Sequence, residues 1–209
     1  MIGIDELFPR VLPFVVGCSE PMARQALLDS AIKFCDKTDV IRESLDAFPT
    51  VSGLPNYDIE TPNNQMRVSR ILSVTVDDRK IFGVFEEDAD KLPEQDGKPS
   101  TFYTRRVDSV LELYLNPVPD ISYSVVVHAS FAPTVNAAAL ADDLVERWYE
   151  GIVAGAISYL ASLPNMPFSN PALAAQKEME RLKACDDARR ESYYGRIRGG
   201  SRIRQRPFV

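Results

Sequence analysis

The stretch LADDLVERWYEGIVAGAISYLASLPNMPFSNPALAAQKEMERLKACDDARRESYYGR, residues 140–196, decides how the rest of the chain is read. From Leu140 to Leu163, apolar residues recur at helical spacing: Leu144, Trp148, Ile152, Gly155, Tyr159 and Leu163 fall on one stripe, so one face of a helix is buried. Gly151, Gly155 and Ser158 lie close to that stripe. Small residues three or four apart let another backbone approach, which offsets the roughly 1 kcal/mol that each glycine costs a helix. Two readings follow: tight packing of Trp148, Gly151 and Gly155 inside one chain, or contact between copies. Asp142, Asp143 and Glu146 suit the positive end of the helix dipole, and Pro164 ends the helix.

The run PNMPFSNP is a turn, because its three prolines cannot continue a helix. Asn170 can cap the following helix and Pro171 suits its first position. That second arm carries Ala175, Met179, Leu182 and Cys185 on one side, with Lys177, Glu178, Glu180, Arg181 and Lys183 mostly elsewhere, and so reads as amphipathic. Beyond Tyr194, residues 195–209 hold Arg196, Arg198, Arg202, Arg204 and Arg206, three glycines and no acid, and end on Pro207, Phe208 and Val209. A segment with so few apolar residues builds no core of its own. It is either an arm that orders on a partner or a solvated terminus.

Composition bounds the class. The 209 residues are 45% hydrophobic and 26% charged, an ordinary globular balance with enough chain for a sizeable core. The formal net charge is −6; without the five tail arginines, 19 basic residues face 30 acidic ones, a balance of −11. An acidic body argues against general nucleic-acid binding, which needs cationic surface to displace counterions from phosphate. No apolar run nears the roughly 20 residues that span a bilayer, and MIGIDELFPR lacks the basic start of a signal peptide, so no membrane partner is expected. Cys18, Cys35 and Cys185 are odd in number and widely spaced, which predicts free thiols and no metal site.

Toward the N-terminus, IDELFPRVLPFVV is apolar but carries Pro9 and Pro13, giving at most a turn or two in a docking segment. Ser19, Glu20 and Pro21 start a helix that runs to about Thr38. It places Ala23, Leu27, Ala31 and Phe34 on one face, with Ala26, Ser30 and Cys35 beside it, and Arg24, Asp29, Lys33 and Asp36 opposite. Its natural partners are the two C-terminal arms.

Between 46 and 131 the pattern turns to short strands, 48–51, 57–60, 68–76, 80–85, 101–106, 109–115 and 122–131, which suggest a sandwich or a twisted antiparallel sheet. Asp77 to Arg79 reads as a hairpin turn, 122–131 as a central strand, and 86–99 as an acidic loop or short helix. The expected fold is α+β: a helical bundle from residues 1–45 and 132–194, an inserted antiparallel β-sandwich-like region at 46–131, and a basic tail at 195–209.

Chemistry-bearing motifs are missing from the sequence. His128 is the lone histidine, in a strand and without a Ser or Cys motif; the acids from Glu86 to Asp96 lack calcium-loop order; and no GxGxxG, P-loop, GxSxG or HExxH occurs. Neither an enzyme nor a cofactor is expected.

The order of elements, with ALLDSAIKFCDKTDVIRESL, then LYLNPVPD and VVVHASFAP, then GAISYLASLP, NMPFSNP and a final helix ending in arginines, resembles the head-to-tail adaptor (connector) proteins of tailed bacteriophages, the group that includes the tail tubular A proteins. The resemblance covers essentially the whole chain. It implies a virion structural protein, assembled in host cytoplasm and placed at the capsid–tail junction. Copies would form a ring, usually of twelve, under the portal protein, extend the DNA channel and receive the tail tube or nozzle. Docking on the portal would use the end of the second arm and the tail: Arg189, Arg190, Tyr193, Tyr194, Arg196, Arg198, Arg202, Arg204, Arg206 and Phe208. Genomic DNA would pass an acidic lumen without sequence-specific binding. A different class of reading makes the β region a ligand or carbohydrate module of a tail accessory protein, with Tyr57, Phe82, Phe102 and Tyr103 as its aromatic platform.

Overall fold

The computed structural model describes residues 1–61, 63–91, 95–107 and 110–195. The chain is mixed α+β. Its strands are β1 (Ile2–Gly3), β2 (Ile41–Ser44), β3 (Phe48–Pro49), β4 (Asn56–Asp58), β5 (Met66–Val76), β6 (Arg79–Gly83), β7 (Thr101–Val107), β8 (Val110–Asn116), β9 (Ser124–Pro133) and β10 (Ala139–Leu140). Its α-helices are α1 (Phe8–Val11), α2 (Glu20–Thr38), α3 (Asp142–Ser162) and α4 (Pro171–Tyr194).

Each of the seven expected strands has a counterpart, but they form one hydrogen-bonded path, β2-β9-β5-β6-β7-β8-β4, with β3 also beside β9. One sheet curls on itself around one hydrophobic core. Two causes are visible. Register shifts at Val68/Arg70 and Ile71/Ser73 bend β5, as bulges do. After pairing with β5 only over Val74–Val76, β6 then swings away to pair in parallel with β7. Asp77 and Asp78 make the β5–β6 turn with φ of 46° and 61°, the geometry of a two-residue type I′ hairpin. The curl encloses Val74, Val76, Ile81, Leu113, Leu115, Val125, Val127 and Phe131. β9, expected to be central, has β2 and β3 on one edge and β5 on the other. β2 falls inside residues 1–45 yet belongs to this sheet.

A second core lies among the helices. Ile4, Leu7, Val11 and Val15 of the proline-broken N-terminal segment dock into it, against Leu27, Ala31 and Phe34 of α2 and Leu144, Ile152 and Leu160 of α3. Each such side chain contributes about 1.5–3 kcal/mol by leaving water. The middle of α3 is buried on every side, from Gly151 to Ile157, because α2 covers one flank and α4 the other.

The glycines explain how close that packing is. A Cβ on Gly151 would lie 2.7 Å from Ala184 Cβ and 3.0 Å from Phe34 Cε2; one on Gly155 would lie 2.2 Å from Ser30 Oγ and 2.7 Å from Arg181 Cδ. Both glycines therefore admit α2 and α4 of the same chain. Trp148 leans on Phe34, ring centroids 5.9 Å apart. Of the two readings of Gly151 and Gly155, packing within one chain is the one these distances support. Asn170 caps α4 as expected, its Oδ1 accepting from Leu173 N at 3.1 Å.

The face of α4 differs from its expected one. Met179 and Leu182 are 73% and 45% exposed, while Ala174, Cys185 and Ala188 are buried. Between them the stems of Lys177 and Arg181, 16% and 13% exposed, cover the core and carry their charges to its rim.

Candidate docking site at the end of the last helix

Helix and sheet are joined through two carboxylates on the last turns of α2. Asp36 accepts from Arg67 Nη2 and Ser69 Oγ, both at 2.7 Å. Asp39 takes a left-handed conformation, φ 50°, that ends α2 and turns its side chain inward. It is only 4% exposed and accepts from Ser130 Oγ at 2.9 Å and Arg70 Nη1 at 3.2 Å. A carboxylate this deep is tolerated because each oxygen has a donor.

The same corner holds the end of α4. Ser192 Oγ donates to the Asp39 carbonyl at 3.2 Å, and Arg42 Nη1 donates to the Ser192 carbonyl at 2.7 Å. Arg42 also sits over the Tyr193 ring, 5.5 Å from its centroid. From the other side, Arg147 of α3 pairs with Glu191 and, at 3.2 Å, with Asp143. The last turn of α4 is thereby fixed against β2, the end of α2 and the start of α3. Val40, Arg42, Arg147, Trp148, Ala188 and Gly195 border an open cleft of about 420 Å³ at this point.

Of the expected docking residues, Arg189, Arg190, Tyr193 and Tyr194 lie on this clamped turn. All four are exposed, Tyr194 by 79%, and Arg190 lies 3.9 Å from Asp187. Arg196, Arg198, Arg202, Arg204, Arg206 and Phe208 lie outside the described residues. The clamp itself, Asp39, Arg42, Arg147, Glu191 and Ser192, was not singled out from sequence. Its contacts span up to 153 positions, and only the Asp143–Arg147 spacing of four is a local signal.

The four expected aromatics of a carbohydrate platform do not come together. Phe102 is in the core of the sheet, and Tyr57 turns its hydroxyl into the 51–54 loop, donating to Leu54 O at 2.9 Å. Tyr103 stacks on Tyr114 at 4.8 Å. Phe82 alone of the four is strongly exposed, 75%, near Phe85 at 81%.

Across β2 and β9, Ser44 Oγ lies 2.6 Å from His128 Nδ1, a pairing the sequence reading did not foresee. No third group orients the imidazole among the described residues, where a hydrolytic triad would need one. Cys35 and Cys185 are buried and Cys18 half-buried; burial raises all three thiols above the ordinary range, Cys35 most. Among the described residues no cluster of His, Cys, Asp or Glu could hold a metal ion, and no helix is long and apolar enough to cross a membrane.

No family model matches the chain, and no curated protein does either.

Proposed function

We propose that the protein is a head-to-tail adaptor of a tailed bacteriophage, in which copies form a ring under the portal and dock on it through the end of α4 and residues 195–209. The observation that carries this reading is the contrast between a clamp and what it holds. Arg42, Ser192, Asp39, Arg147 and Glu191 fix the last turn of α4 to the body, and a segment with five arginines and Phe208 follows at once. A rigid mount aims a charged arm, so less ordering entropy opposes its docking.

Portal carboxylates would pair with the guanidinium groups, and Phe208 would be buried. The ring contact is assigned to the outward stripe of α4, Ala175, Met179 and Leu182, which the chain leaves uncovered. In this reading the helical unit, from residues 1–40 and 134–194, mounts the arm, and the sheet, to which β2 also belongs, meets the tail tube or nozzle. The body's balance of −11 suits a lumen that repels DNA phosphate.

Truncation after Gly195 tests the reading. The shortened chain should fold, with an unchanged circular dichroism spectrum, and lose binding to the portal protein. Undiminished binding would refute it.

A further inference from the structure

The curled sheet stops short of closing. Its terminal strands, β2 with its continuation β3 on one side and β4 on the other, each have a strand neighbour on one edge only among the described residues. These edges face each other across a cleft of about 480 Å³ lined by residues 43–46, Phe48 and 58–61. At one end Phe48 and Tyr57 bridge the seam, ring centroids 5.4 Å apart. Along the rest, no backbone hydrogen bond links 43–46 to 58–61 among the described residues. Bare strand edges are where an extended segment adds.

Chemistry narrows what that segment is. The floor of the seam is Leu45, Phe48 and Ile59. Its rim is Glu43, Asp46, Asp58 and Glu60, all exposed, with no basic residue in the lining. The guanidinium groups of the neighbouring residues are otherwise placed: Arg42 donates to the carbonyls of Asp39 and Ser192, Arg67 is paired with Asp36, and Arg106 borders another cavity beside 58–61. An extended segment with alternating cationic and apolar side chains fits both surfaces.

We propose that the occupant is the chain's own C-terminal arm, residues 196–209, which adds as a strand beside β2 and stows itself in the seam. Three observations carry this. Gly195 lines the same cleft as Val40 and Arg42, so the arm leaves the body beside the start of β2. Extended, its 14 residues reach up to about 46 Å, whereas the rim from Arg42 to Asp46 spans about 13 Å. Arg196-Ile197-Arg198 and Arg202-Ile203-Arg204 alternate, so a strand would turn its arginines to one side, toward the carboxylates, and its isoleucines to the other, toward the floor. The free protein thereby covers its two open edges and its most basic segment together. A partner must draw the arm out of the seam, whatever that partner is.

Limited trypsin digestion of the full chain, read by mass spectrometry at Arg198, Arg202 and Arg204, tests the proposal. Cleavage should be about tenfold faster in the Glu43→Gln/Asp46→Asn/Asp58→Asn/Glu60→Gln variant, because proteolysis follows the population of the open form. It should also accelerate in about 1 M salt, where the screening length falls to about 3 Å. Equal rates in variant and wild type would overturn the proposal. Protection that grows with protein concentration would overturn it too, assigning the seam to the arm of a second copy. As a second readout, truncation after Gly195 should shift the amide resonances of 43–46 and 58–61, and unmoved resonances would refute the stowed arm. Neither readout involves portal, so failure here is distinct from failure of the adaptor reading.

Discussion

Replacing Gly155 with alanine puts the close helix packing to its sharpest test. An ideal Cβ there lies 2.2 Å from Ser30 Oγ and 2.7 Å from Arg181 Cδ, so something must move. Arg181 can yield, being a long side chain. Ser30 is only 6% exposed and donates to the Ile152 carbonyl at 2.7 Å, so it can yield only by giving up that bond. The lost hydrogen bond costs about 1 kcal/mol and the overpacking about 1–3, while alanine returns about 1 kcal/mol of helix propensity. The net is a loss of about 1–3 kcal/mol, or roughly 2–12 °C in Tm for a chain of this length. Urea and thermal unfolding of Gly155→Ala measure it. Adding Ser30→Ala should recover part of the loss, a coupling that a double-mutant cycle isolates. Unchanged or raised stability, or an effect confined to the oligomeric state, would refute the packing argument.

Four further outcomes are expected. Asn170→Ala should cost about 1 kcal/mol by removing the cap on Leu173 N, seen as a lower urea midpoint. Met179→Glu with Leu182→Glu should prevent ring formation in light scattering yet leave the unfolding midpoint of the isolated chain within about 0.5 kcal/mol, since both side chains are exposed. In a native thiol titration at pH 8, Cys18 should react first and Cys35 only on unfolding, because burial holds the Cys35 thiol protonated far above that pH. The hydrogen bond from Lys98, and then that from Ser124 N, holds the Asp77 carboxyl below its ordinary value of 3.8. Its stabilisation is therefore complete above that value and lost as pH falls through the lower folded one, so Asp77→Asn should flatten the acid limb of a stability profile.

Helix α2 was legible because its apolar residues repeat at 3.6 and the small ones sit beside them; every residue read onto its inner face is buried. Helix α4 misled because its buried face is alanine, cysteine and the stems of Lys177 and Arg181. Its most hydrophobic residues, Met179 and Leu182, point away from the chain. Period alone does not reveal that a charged side chain buries its methylenes. The strands were legible one by one, but the curl was not. It depends on bulges in β5 and on the parallel pairing of β6 with β7, neither of which leaves a local signature. The clamp on α4 depends on Arg42 meeting Ser192, residues 150 positions apart, which periodicity cannot encode. The glycines were correctly read as sites of close approach, and the structure supplied the partners, Ser30, Phe34, Ala184 and Arg181.

On the adaptor reading, particle imaging of the purified chain with and without the cognate portal protein measures the central claim directly. The adaptor account predicts a closed ring seated on the portal, with density for residues 196–209 running from the end of α4 into the portal surface, and loss of that complex when the chain stops at Gly195. No ring on the portal, or a ring that still docks after the truncation, would contradict it.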